Sequence, residues 1–483
     1  MFSAIRRISR WPLDHKLVML PALLLMMLLL RLLWGVAVHS QLESQLRALR
    51  VRGEPIEPSQ ITHEIIPDTD NAVPLYRQAL KAMVEGIDSP RNSNLEYPDY
   101  FPRPADWMKL AQASEKAHAP LFALARAARQ RPRAQFDTLP NDDVDLRYLG
   151  DLRNLANTIA DSAEYSHLQG NDPQAIERLR DVLHISRTLQ SDDYLISWLV
   201  AVGIDGLACH STQLIAPDLS VRDVNIRPLI AELLDEKSFG EAQKRKLLNE
   251  RIRRIHSYAK SGQRDWLLAP LAERDLIREL SSFEIFLQAA DSTNFAQAQD
   301  ILKRSPPDDA QQIRARSYGP YFAWIPRYSR WFYVGNDLAP WFDRSYRILA
   351  ERRLTAVALA CQLYRADHGQ FPQSLDQLVP TYLPAIPRDP FFSDGRPIGY
   401  AIKTQTPPLT GPRPVLYFDP GGGDFGLKAE PHYSWYAPPV RGAPVRQYRD
   451  ISRFAPPALP KTVNNNPNIS NAPGQNSQEG DDP

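Results

Sequence analysis

Apolar positions along this chain follow three successive patterns. From Leu17 to Val38 they are nearly continuous, LVMLPALLLMMLLLRLLWGVAV, broken by a single charge at Arg31. From about residue 71 to 367 they recur every three or four residues, the period of helices with one buried face. After Pro397 two short runs, 397–402 and 415–418, alternate as strands do. These patterns predict a mainly α chain with an N-terminal transmembrane helix, a solenoid-like body of helical hairpins, a small C-terminal α+β module and a disordered tail. The expected boundaries are a cytoplasmic basic segment at 1–16, the span at 17–38, a stalk at 39–70, the helical body at 71–340, the module at 344–440 and the tail at 441–483.

The continuous run covers about 33 Å at about 1.5 Å per residue, enough to cross a bilayer. Arg31 costs about 2.5–3.5 kcal/mol there, and the ten leucines of the run return about 5 kcal/mol, so insertion wins. Arg31 stands seven residues from Val38, and its guanidinium can snorkel to the far headgroups. The run is too long for a signal-peptide core and Val36-Ala37-Val38 is a poor cleavage site, so it reads as an uncleaved anchor. Before it, Phe2, Ile5 and Ile8 share a helical face flanked by Arg6, Arg7 and Arg10, a pattern suited to an anionic inner leaflet. The expected placement is a single-pass inner-membrane protein, N-terminus cytoplasmic, with most of the chain on the periplasmic side.

Past the span, Leu42, Leu46 and Leu49 continue a helix until Pro55 and Pro58 break it, giving the stalk. Asn71 caps the next helix, with Pro74 in its first turn. The clearest pair follows. Leu149, Leu152, Ala156, Ile159 and Ala163 form one stripe, Gly170-Asn171-Asp172-Pro173 turns the chain, and Ile176, Leu179, Val182 and Leu183 form the returning stripe. The spacing of Ala163, Gly170, Ala175, Leu179 and Val182 resembles a single tetratricopeptide repeat, which implies a helical hairpin. Residues 194–215 are apolar nearly all round and predict a central buried helix, with Asp205 a hydrogen-bonded core carboxylate. The basic run Lys244, Arg245, Lys246, Arg251, Arg253 and Arg254 shares its helix with Leu247, Leu248, Ile252 and Ile255, and reads as a solvated face. Aromatic residues and arginines crowd between 318 and 346. Tyr321, Trp324, Tyr328, Trp331 and Trp341 are candidates for an interaction surface, against the alternative of a packed aromatic core.

Composition narrows the function. A net charge of +1 over 483 residues argues against a nucleic-acid binder. The two cysteines, Cys209 and Cys361, sit among apolar residues and read as buried thiols, a disulfide being the alternative. No HExxH, GxSxG, Walker or GxGxxG motif is present, and the ten histidines are scattered. No catalytic residue and no small-molecule substrate can be named from the sequence.

The C-terminal module carries the more specific signal. Tyr364-Arg-Ala-Asp367-His-Gly369-Gln-Phe-Pro372 closes a long helix and is followed by Leu383-Pro-Ala-Ile-Pro-Arg388-Asp389-Pro390. Over roughly 353–426 this resembles the globular part of the type II secretion major pseudopilin. The combination of span, helical body and such a tail also resembles a group of uncharacterised single-pass bacterial envelope proteins. The pseudopilin resemblance implies a small sheet and a calcium loop, here Asp419-Pro-Gly-Gly-Gly-Asp424 with Asp394 upstream; a Gly-rich hairpin is the alternative. No Gly-Phe-x-x-x-Glu precedes the span, so the resemblance does not extend to processing or polymerisation. Three functional readings remain. The first is a non-enzymatic, membrane-anchored envelope scaffold with protein partners. The second is an accessory of a type II secretion or pilus-like machine, and the third a hydrolase whose residues meet only in space.

Overall fold

The computed structural model describes residues 2–60, 65–97, 102–136, 146–220, 223–261, 269–304, 339–405, 411–418 and 433–434. It opens with α1 (Phe2–Val51), one helix of 50 residues, about 75 Å long at about 1.5 Å per residue. The body follows as α2 (Val73–Lys81), α3 (Ala105–Ala117), α4 (Ala119–Arg129), α5 (Arg147–Leu168), α6 (Asp172–Gln190) and α7 (Leu195–Ile215). It continues through α8 (Asp223–Leu234), α9 (Lys237–Ser261), α10 (Ala269–Ala290), α11 (Phe295–Leu302) and α12 (Ala339–His368). Strands β1 (Gly399–Gln405), β2 (Gly411–Tyr417) and β3 (Tyr433–Ser434) form an antiparallel sheet in chain order, with Gly399 opposite Tyr417 and Leu416 opposite Ser434.

Among the described residues two helices are long and apolar enough to cross a membrane, and burial separates them. Only 6 % of the apolar window of α1 is covered by the rest of the chain, against 50 % for α7. Trp198, Ile204, Ala208 and Cys209 of α7 lie in the main core, whereas Leu23, Leu28, Leu33 and Val36 of α1 face outward.

The segment expected to stand off as a stalk is instead docked. Val38, Leu42, Leu46 and Leu49 of α1 are buried, with Ile56, against Ile255 of α9 and Leu276, Ile277 and Leu280 of α10. The leucine spacing marks an apolar face, and α10 supplies its cover.

In the α5–α6 pair, Gly170 adopts φ 78°, the left-handed conformation that a side chain resists. The Asn171 amide then reaches back to the Ser166 carbonyl at 2.8 Å, closing α5 as a Schellman turn. Asn171 Oδ1 accepts from the Gln174 amide and opens α6. Both stripes read from the sequence are buried here.

α12 is central, and the core does not divide at residues 340–344. Leu354, Val357, Ala358, Cys361 and Tyr364 are all buried, in the same cluster as the body helices, Leu416 of β2 and the following Phe418. Tyr382 meets Tyr364 edge-on at 5.7 Å. α7 and α8 also pack along α12, and Arg227 of α8 lies 5.7 Å over the Tyr382 ring. Gly369, at φ 72°, ends the helix. The Asp389-Pro390 loop is held extended by the Asp389 amide donating to the Arg396 carbonyl and the Ile398 amide to the Pro387 carbonyl.

Candidate functional site

The first candidate is the junction between the apolar helix α1 and the core. α1 and α10 run parallel. A Cβ on Gly35 would stand 3.4 Å from Pro270 Cγ, His39 Nδ1 lies 2.9 Å from Glu273 Oε1, Gln45 donates to Ser281 Oγ at 3.3 Å, and Arg52 donates to Glu284 at 3.0 Å. The same hypothetical Cβ would stand 2.8 Å from Arg31 Nη1. Arg31 therefore lays its guanidinium over the bare backbone of Gly35, one turn nearer the body. That is the direction snorkelling requires.

Behind this contact Glu279 of α10 is buried, and neither of its carboxyl oxygens has a hydrogen-bond partner. Burial pushes it up to about 8, with Asp275 and Glu250 adding repulsion and Arg254 opposing. It is an uncharged acid in neutral solution, wedged where α10 meets α9.

Three buried charge clusters lock the helices. Arg352 of α12 donates to Asp205 at 3.0 Å and to the carbonyls of Glu232, Leu233 and Asp235 at 2.8–3.1 Å. Those carbonyls end α8 and lack donors within the helix. Glu164 of α5 takes Arg91 at 2.5 Å and Arg103 at 3.1 Å, and Arg91 also bonds Asp161. Burial would raise Glu164, but the two guanidiniums outweigh it and hold it below the usual range. Asp161, facing Glu164, rises to about 6 through burial despite Arg91. Lys246 is the third case and corrects the expectation of a solvated basic face. Its ammonium is buried and donates to the carbonyls of Leu189, Asp192 and Tyr194 and to Ser197 Oγ at 2.5–3.2 Å. Burial pulls it down to about 7, while four acceptors favour the charged form. Arg251 is likewise buried, on Glu54 at 2.5 Å.

A cavity of about 580 Å³ opens between the end of α6, the start of α9 and the extended segment 132–136. Arg133, Arg187 and Arg245 line it with Asp193, Glu241 and His184. His184 bonds the Tyr76 hydroxyl at 2.7 Å and is pulled down to about 4 by burial and by Arg187 and Arg129, so its imidazole is neutral. The lining offers cationic and hydrogen-bonding groups, and the described part contains no activated nucleophile.

The residues singled out from the sequence do not converge. Trp341 is buried in the core, 5.8 Å from Trp198 and 5.0 Å from Phe342 by ring centroids, so it is not surface. An aromatic with core rings on two sides gains more from burial than from solvent. Tyr321, Trp324, Tyr328 and Trp331 lie outside the described residues, as do Asp419 and Asp424. Asp394 is exposed and held by Arg396 through both oxygens at 2.6–3.1 Å. Among the described residues no group of three His, Cys, Asp or Glu side chains could hold a metal. Cys209 and Cys361 are buried free thiols, both pushed up by burial. Sequence reasoning missed Arg352 and Glu279 and placed Lys246 in solvent; a charge set within an apolar helical stripe was the available signal. Comparisons with protein-family models, curated proteins and solved structures find no match to this chain.

Proposed function

We propose that this chain is a membrane-anchored, non-enzymatic envelope scaffold that holds a rigid helical body at a fixed height and angle beside the bilayer. The observation that carries the reading is the unbroken α1, whose apolar half is bare and whose second half is buried against α10. A flexible linker would let an enzyme or receptor domain sample solvent, whereas a docked helix of this length transmits position. Body and C-terminal module share one core around α12, which suits a load-bearing or partner-presenting role. The body lies on the periplasmic side of the inner membrane in this reading, from the basic residues before the span. Protein partners are the expected ligands.

Alkaline phosphatase fused after residue 440 should be active in cells, and activity from a cytoplasmic reporter alone would contradict the topology. Full-length protein cross-linked in native membranes should carry stoichiometric protein partners. Migration as a lone monomer would contradict the scaffold role.

A further inference from the structure

We propose that the outward face of the first turns of α10, formed by Leu271, Arg274 and Arg278, is a second membrane contact that sits on the lipid headgroups beside the point where α1 leaves the bilayer. The proposal rests on the reading of α1 as a span. The three positions are spaced three and four apart and share one helical face. All three are exposed, with Leu271 43 % accessible. Pro270, Glu273, Leu276, Ile277, Glu279 and Leu280 are buried, and they use up the face turned to α1 and α9. Arg274 and Arg278 make no hydrogen bond or ion pair among the described residues. Their charges oppose the burial that raises Asp275.

Depth makes the argument specific to lipid. The apolar run of α1 ends at Val38, and the next residue, His39, faces Glu273 at 2.9 Å. Because the two helices run parallel, Glu273 marks the edge of the hydrocarbon on α10. At about 1.5 Å per residue, Leu271 lies about 3 Å inside that edge, Arg274 about 2 Å outside it and Arg278 about 8 Å outside it. The headgroup layer of one leaflet is roughly 5–8 Å thick. An apolar side chain thus meets the acyl boundary and two unpaired guanidiniums meet the phosphates, in the order the bilayer profile demands. A protein partner would have no reason to require that order.

The test uses the full chain in vesicles of phosphatidylcholine with one-quarter phosphatidylglycerol. Single substitutions Leu271→Cys, Arg278→Cys, Val51→Cys and Leu25→Cys are labelled with a small fluorophore. The native cysteines are 1 % and 0 % exposed and should not react. Headgroup-nitroxide lipid should quench the labels at 271 and 278 about twofold or more relative to that at 51, which stands some 20 Å beyond the hydrocarbon edge. Arg274→Glu combined with Arg278→Glu should reduce the quenching at 271. Equal quenching at 271 and 51 would overturn the proposal. Acyl-chain nitroxide on the Leu25→Cys protein separates the two failures: quenching there with none at 271 sinks the second contact alone, and quenching at neither sinks the span as well.

Discussion

Arg352→Met should be among the most damaging single changes in this protein, lowering stability by about 3–5 kcal/mol. The methionine keeps the packing volume of the side-chain stem but strands the buried Asp205 carboxylate and three carbonyls at the end of α8. Unpaired buried groups cost more than the lost bonds were worth. Neighbouring Arg353 supplies the comparison: its partner Glu236 is 26 % exposed, so Arg353→Met should cost about 1 kcal/mol. Thermal unfolding of the two variants in detergent should separate them clearly, and equal losses would show that α12 is not keyed to α7 and α8 through Arg352.

Glu279→Gln should stabilise the protein in alkaline solution. The folded-state carboxyl titrates at about 8, raised from an ordinary 4.5 by burial first and then by Asp275 and Glu250. A raised acid contributes stability that is complete below about 4.5 and is lost as pH climbs through about 8. Across that window the native protein should therefore weaken by up to about 5 kcal/mol, while the glutamine variant, with nothing to ionise, should not follow. Denaturant midpoints between pH 5 and 9 should diverge with rising pH. Parallel curves would mean that Glu279 is already ionised and paired in the folded protein.

Much of this architecture could be read from periodicity. The α5 and α6 stripes, the end of α12 at Gly369 and the buried α7 all follow from spacing and turn residues, which act over a few positions. The docked α1 did not follow, because Leu42, Leu46 and Leu49 announce an apolar face without naming its partner some 230 residues away. The placement of α12 failed for a related reason. Residues 354–363 are apolar nearly all round, so nothing in the spacing marked where α7 and α8 pack. Lys246 and Arg251 looked like solvent positions because their acceptors, the carbonyls of Leu189, Asp192 and Tyr194 and the Glu54 carboxylate, come from distant segments. The candidate metal residues came from the pseudopilin resemblance and the aromatic surface from composition, which does not distinguish a surface ring from Trp341 in a core.

In the proposed function, α1 carries the body rigidly from the membrane by lying against α10. Cross-linking in native membranes tests it directly. The paired substitutions His39→Cys and Glu273→Cys replace side chains now 2.9 Å apart, in a chain whose own thiols are buried. A short bifunctional thiol reagent should join them rapidly and nearly completely, while His39→Cys paired with a cysteine at exposed Leu146 should stay unjoined. Slow joining of 39 to 273, no faster than the control pair, would mean that residues 39–51 are a free stalk and would contradict the account.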